Sequence, residues 1–213
     1  MNGVALASST VHAWPTAAAD GAAMQRLFQH NLLQHRRLFS AIDELRDAVC
    51  EAAALMTDTL RAGGRLMFCG NGGSTSDSQH LAAEFSGRLK HERRPLAAIA
   101  LSADGVALTA IANDYGYEEV FARQLQAHAR RGDCLIVLST SGASRNVLRA
   151  LQAARTLGLP CIALLGRDGG AARHWADLAI VVPHDDSARI QEAHIFIGHT
   201  WCGQIEAALG CVA

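Results

Sequence analysis

The chain has no basic excess: 19 Lys and Arg stand against 20 Asp and Glu, for a formal net charge of −1. Binding to a nucleic-acid backbone depends on clustered positive charge, so nucleic acid is not expected as a direct ligand. Apolar runs of about 18 residues, the length a membrane-spanning helix needs, are also absent, and no membrane is expected as a partner. The six cysteines (Cys50, Cys69, Cys134, Cys161, Cys202, Cys211) include no C-x-x-C pair. Most lie in apolar runs, the pattern of reduced, buried thiols, which points to the cytoplasm. No Lys or Arg precedes Arg26, while His12, Pro15 and Asp20 interrupt the only early apolar stretch. Neither a signal peptide nor an arginine-rich transit peptide fits, so residues 1–23 are expected to form a disordered tail.

What the chain does have is apolar residues in abundance, 50% of 213, enough for one domain with a substantial core. From Met24 to about Arg61 they recur at helical spacing (Leu27, Leu32, Leu38, Ile42, Leu45, Val49, Met56, Leu60), predicting one or two long amphipathic helices ended by Gly63-Gly64. Beyond that, short continuous apolar runs alternate with helix-like stretches. Strands are expected at Arg65–Cys69, Ala97–Leu101, Cys134–Leu138, Cys161–Leu165 and Leu178–Val182. Helices are expected at about Ser76–Leu89, Val106–Ala112, Glu118–Arg130, Ser144–Leu157 and Ser187–Leu209. This is an α/β pattern with a mostly parallel sheet covered on both faces. No linker or repeat divides residues 24–213, so they are read as a single domain. The leading helices carry more apolar surface than a sheet edge can bury, which predicts a homo-oligomer.

Two loops follow apolar strands and open onto helices: Cys69-Gly70-Asn71-Gly72-Gly73-Ser74 and Ser139-Thr140-Ser141-Gly142-Ala143-Ser144. Free backbone N–H groups at a helix start, together with hydroxyls, suit an anion such as a phosphate monoester. Either loop alone is an ordinary turn composition. Both sit where parallel sheets bind ligands, beyond the carboxyl ends of the strands.

On the helix leaving the first loop, His80 and Glu84 are four residues apart and share a face. An imidazole and a carboxylate so placed can ligate a divalent ion or work as an acid–base pair. The last helix embeds Gln191, Glu192, His194 and His199 among apolar residues, and buried polar groups need partners. Glu192 and His199 are nearly in line, whereas Gln191 and His199 are offset by roughly 80° at 3.6 residues per turn, so spacing mildly prefers Glu192.

Taken in order, Cys69-Gly70-Asn71-Gly72-Gly73-Ser74, His80 with Glu84, Ala112-Asn113-Asp114-Tyr115-Gly116, Ser139-Thr140-Ser141-Gly142 with Ser144, and Arg189-Ile190-Gln191-Glu192 with His194 and His199 resemble the phosphoheptose isomerases. The resemblance covers about Met24 to Leu209. It implies a SIS-type (sugar isomerase) three-layer sandwich and conversion of sedoheptulose 7-phosphate to D-glycero-D-manno-heptose 7-phosphate, the first step toward nucleotide-activated heptose. It also implies one zinc ion held by His80, Glu84, Gln191 and His199, thereby favouring Gln191 over Glu192. Asn71, Gly72, Gly73, Ser74, Glu84, Asn113, Asp114 and Gln191 match substrate-binding positions. Ser139, Thr140, Ser141 and Ser144 match the phosphate cradle. A homotetramer whose sites combine residues of neighbouring subunits is implied as well.

Aldose–ketose isomerisation moves a proton between C1 and C2 through an enediol(ate), and Glu84 is the expected base with His199 as partner acid–base. Two other readings share the fold. A non-catalytic SIS protein that associates with the bacterial replication initiator is similar in Thr109-Ala110-Ile111-Ala112-Asn113-Asp114 and Ser144-Arg145-Asn146, but lacks the carboxylate and imidazole of Glu84 and His199. An isomerase for another phosphosugar is the second, because fold does not fix substrate. A phosphosugar-responsive regulator would need a helix-turn-helix module, for which the N-terminal segment is too short and insufficiently basic.

Overall fold

The helical spacing of the N-terminal third resolves into two helices in a computed structural model, which describes residues 20–211. Helix α1 spans Gly21–Ala41 and α2 spans Arg46–Arg61, joined by a 3-10 turn at Ile42–Leu45. The Asp20 side chain accepts a hydrogen bond from Ala22 N, so this cap starts α1 three residues before Met24. Of the expected tail, residues 1–19 lie outside the described residues.

Five strands follow, β1 (Leu66–Gly70), β2 (Ala98–Ala100), β3 (Cys134–Ser139), β4 (Cys161–Gly166) and β5 (Leu178–Val182). All pair in parallel in the order β2-β1-β3-β4-β5. Between and after them run α3 (Gly73–Ser86), α4 (Gly105–Tyr115), α5 (Ala122–His128), α6 (Arg145–Leu157) and α7 (Ser187–Ala208). Every residue of β1, β3 and β4 is buried, as strands covered on both faces must be. Alternate side chains feed two cores: Leu66 and Phe68 pack under α2, α3 and α7, whereas Met67 and Cys69 face α5 and α6. The three-layer α/β arrangement expected from the sequence is thus the one observed.

Two helices differ from expectation. The stretch 118–130 is not one helix: Tyr117–Glu119 forms a 3-10 turn, and α5 stops at His128 because Ala129 is extended. Helix α3 begins at Gly73 instead of Ser76, since the positive φ of Gly72 turns the chain at once. The Thr75 and Ser78 hydroxyls then bond back to Gly70 O and Ser74 O, letting a hydroxyl-rich segment be helical. Among the described residues no helix is long and apolar enough to cross a membrane.

One contact sets the spacing of α3 and α7. Gly198 is buried against Leu81, and a Cβ at Gly198 would stand 2.6 Å from Leu81 Cδ1. The missing side chain lets the two helices approach closely, and it does so between the neighbours His80 and His199.

Candidate active site

Adjacent parallel strands β1 and β3 end level with one another, Gly70 beside Leu138, so the two loops leave the sheet side by side. They are stitched together by a reciprocal amide pair: Asn71 Nδ2 donates to Asn146 Oδ1 at 2.8 Å and Asn146 Nδ2 to Asn71 Oδ1 at 2.7 Å. Tyr117 OH donates to the same Asn71 oxygen at 3.1 Å. Tyr117 carries no local signal in the sequence, and Asn146 appears there only in the stretch similar to the initiator-associated protein; their shared partner Asn71 is 46 and 75 residues away.

The four hydroxyls of the second loop are not equivalent. Ser139 Oγ accepts from Gly142 N and Ser141 Oγ from Ala143 N, so both shape the turn. Thr140 Oγ1 pairs with Ser187 Oγ at the start of α7, 3.2 Å away. Ser144 is the N-cap residue of α6, but its side chain makes no capping hydrogen bond. Its hydroxyl therefore stands beside the N–H groups of Arg145 and Asn146 at the start of α6, a geometry suited to an anion. The segment after β4 closes over this loop, with Ala172 N donating to Gly142 O.

Two turns along α3, the chemistry changes from hydroxyls to metal-ligating and titratable groups. His80 Nε2 lies 3.0 Å from His199 Nε2 and 3.3 Å from Glu84 Oε1. One donor atom from each of His80, Glu84 and His199 falls within 4.8 Å of the others. Tetrahedral zinc with bonds of about 2.0–2.1 Å spaces its ligand atoms by about 3.3 Å, so this donor set fits such an ion. Glu84 Oε2 is buried without a hydrogen-bond partner, leaving a lone pair to be used. Asp77, one turn before His80, has a buried Oδ2 with no partner; burial raises its pKa while His80 opposes the rise. Nothing in the sequence marks Asp77, and only its burial distinguishes it from a solvated helix carboxylate.

The remaining expected residues divide. Gln191 rests its amide against Gly73, where a Cβ would come within 2.8 Å of Gln191 Cδ, so it sits at the loop end of α3. Glu192, which helical spacing preferred as the partner of His199, is bonded instead to His35 Nδ1 of α1 at 2.8 Å and to Arg189 at 2.6 Å. His194 is fully buried, its Nε2 donating to Leu165 O, and burial pushes its pKa down to about 4. Asn113 and Asp114 are exposed at the end of α4 and bond to each other at 2.8 Å. The Tyr117 contact ties their segment to the first loop.

A family model described as the SIS domain matches residues 32–166, which makes this a SIS-domain protein. Phosphoheptose isomerases of Helicobacter pylori (strain P12) and Rhodospirillum rubrum are each 50% identical to it, covering 84% and 80% of the chain and 94% and 91% of their own lengths. The solved phosphoheptose isomerase GmhA from Neisseria gonorrhoeae superposes with a TM-score of 0.82 at 41% identity, over 86% of this chain and 99% of its own. The chain belongs to the phosphoheptose isomerase family.

Proposed function

We propose that this protein is an aldose–ketose isomerase that converts sedoheptulose 7-phosphate to D-glycero-D-manno-heptose 7-phosphate. The observation that carries the proposal is the meeting of Glu84 and His80, on the helix that leaves the first loop, with His199 of α7. The phosphate binds between the second loop and the N-terminus of α6, where Ser144 and the first-turn N–H groups await an anion. The sugar runs from there past Asn71 to Ser74 and Gln191; His80 is about 10 Å along α3 from Gly73. Asn113 and Asp114 line the approach.

Glu84 takes the proton from C1, and the C1–H electron pair forms the C1=C2 bond of an enediolate as charge moves to O2. His199 moves a proton between the two oxygens, and Glu84 returns its proton to C2. A zinc ion held by His80, Glu84, Gln191 and His199 would supply Lewis-acid stabilisation of that oxygen charge. Only 20% of the Glu84 side chain is exposed, which limits access of competing water and keeps the abstracted proton available for return.

A homotetramer with shared sites is part of the proposal, supported by the exposed apolar stripe Met24, Leu27, Phe28, Leu32 and Leu33 on α1. Cytoplasmic location is supported by four buried free thiols, Cys69, Cys134, Cys161 and Cys202. Glu84→Gln tests the proposal: turnover of sedoheptulose 7-phosphate should vanish while phosphosugar binding, followed calorimetrically, persists. Near-parental turnover by that variant would refute the assignment. A replication-initiator adaptor on the same fold would leave the parental chain without isomerase activity.

A further inference from the structure

Arg93 lies outside the loops and the proposed reacting groups, yet it is among the most buried charges of the molecule. Its side chain is 1% exposed and that of its partner, Glu206, 2%. The guanidinium Nε donates to Glu206 Oε1 at 2.7 Å. The other nitrogens donate to backbone carbonyls at the end of α3 and just beyond it: Nη2 to Glu84 O at 2.7 Å, and Nη1 to Phe85 O, Gly87 O and Arg94 O at 2.9–3.1 Å. Only the planar fork of arginine can reach an acid and four carbonyls together; a lysine ammonium is a single point.

The two ends of this pair belong to the helices that carry the proposed chemistry. Arg93 holds the carbonyl of Glu84 itself, and Glu206 is seven residues, two turns, beyond His199 on the same side of α7. Burying two charges is costly, and a well-packed apolar pair is often as stable or more so. The ion pair by itself is therefore a weak source of stability, but together with the carbonyl bonds it fixes the axial register of α3 against α7. We infer that the Arg93–Glu206 pair is a positioning clamp that holds Glu84 and His80 in register with His199. The inference rests on the functional reading above.

Two variants test it, Arg93→Lys and the double variant Arg93→Met/Glu206→Met, which removes both charges. Each is expected to fold, the double variant with a lowered Tm because four backbone carbonyls lose the guanidinium donor. The kcat for sedoheptulose 7-phosphate should fall ten- to a hundredfold with KM within threefold of the parent, because the loops are untouched. Zinc affinity by calorimetry should fall at least tenfold, and amide exchange in the last turn of α3 should quicken at least tenfold. A folded variant with parental kcat, zinc affinity and exchange protection overturns the clamp. So does failure of both variants to fold, which would make the pair a stability element. If the parent itself neither isomerises the sugar nor binds zinc, the functional reading fails, and α3 exchange alone then decides whether the clamp exists.

Discussion

Replacing Gly198 with alanine separates the packing of the site from its chemistry, because no reacting group is altered. The new Cβ would stand 2.6 Å from Leu81 Cδ1 and 3.1 Å from Cγ, where ordinary carbon contacts are about 3.5–4.0 Å. About 1 Å must be found, and Leu81 is wholly buried among Phe85 and Trp201 in the same core, so little rotamer freedom remains. Overpacking of this kind costs about 1–3 kcal/mol. Exchanging glycine for alanine inside a helix returns about 1 kcal/mol, leaving a net loss of about 0–2 kcal/mol. For a chain of this size that lowers Tm by no more than about 8 °C. The same 1 Å, if it appears between His80 and His199, can slow catalysis on the order of a hundredfold. Steady-state isomerisation assays and calorimetric melting should therefore disagree: kcat falls ten- to a hundredfold while the fold survives. Adding Leu81→Ala should restore much of the rate by vacating the space the new methyl needs. Parental kcat in Gly198→Ala, or no recovery in the double variant, would refute the spacing argument.

Ser144→Ala should weaken binding of a sugar 7-phosphate by about 1.5–3 kcal/mol, the range for one hydrogen bond to a charged group, whereas Ser139→Ala should mainly loosen the turn; titration calorimetry and melting separate the two. Gly73→Ala pushes the Gln191 amide aside without touching backbone, so zinc affinity should fall with Tm almost unchanged; unaltered affinity would remove Gln191 from the ligand set. Chelation should abolish activity and zinc restore it, and a chelated, metal-free sample with full activity would exclude the metal role. His194 gives a pH signature: its folded pKa of about 4 lies below the usual 6.5, so the unfolded chain binds the proton first as pH falls. The stabilisation is complete above about pH 6.5 and is lost between 6.5 and 4, amounting to about 2 kcal/mol at pH 5. Urea midpoints at pH 7 and 5 should converge for His194→Gln relative to the parent, and equal shifts in both would contradict this.

Much of this fold is readable from sequence for a simple reason: a strand buried on both faces must be a short continuous apolar run, and β3, β4 and β5 start where such runs start. Helix starts were less legible. Ser74, Thr75 and Ser76 look like loop residues, and only the hydroxyl bonds to Gly70 O and Ser74 O, set by the turn at Gly72, let this segment be helical. The anion loops and the His80–Glu84 pair were legible because local spacing defines them. Asn146, Tyr117, Asp77 and Arg93 were not, since each acquires its role from burial or from a partner outside its own motif.

Helix α7 is where local and tertiary information conflict most clearly. Periodicity alone sets Glu192 in line with His199, but its carboxylate is held instead by the Arg189 guanidinium and by the ring Nδ1 of His35 on α1. With Glu192 so engaged on the α1 side, the amide next to it, Gln191, faces the first loop across Gly73. A neutral donor at that position adds no further negative charge to a group that already contains Glu84 and, one turn away, Asp77. Exchanging it for a carboxylate would raise the local repulsion and tighten any cation. Gln191→Glu should accordingly bind zinc more strongly yet turn over more slowly, because added ligand charge weakens Lewis-acid polarisation of the substrate oxygen. Zinc calorimetry and kcat measured on the same preparation check both directions, and a variant that binds zinc more weakly would show that Gln191 does not reach the ion.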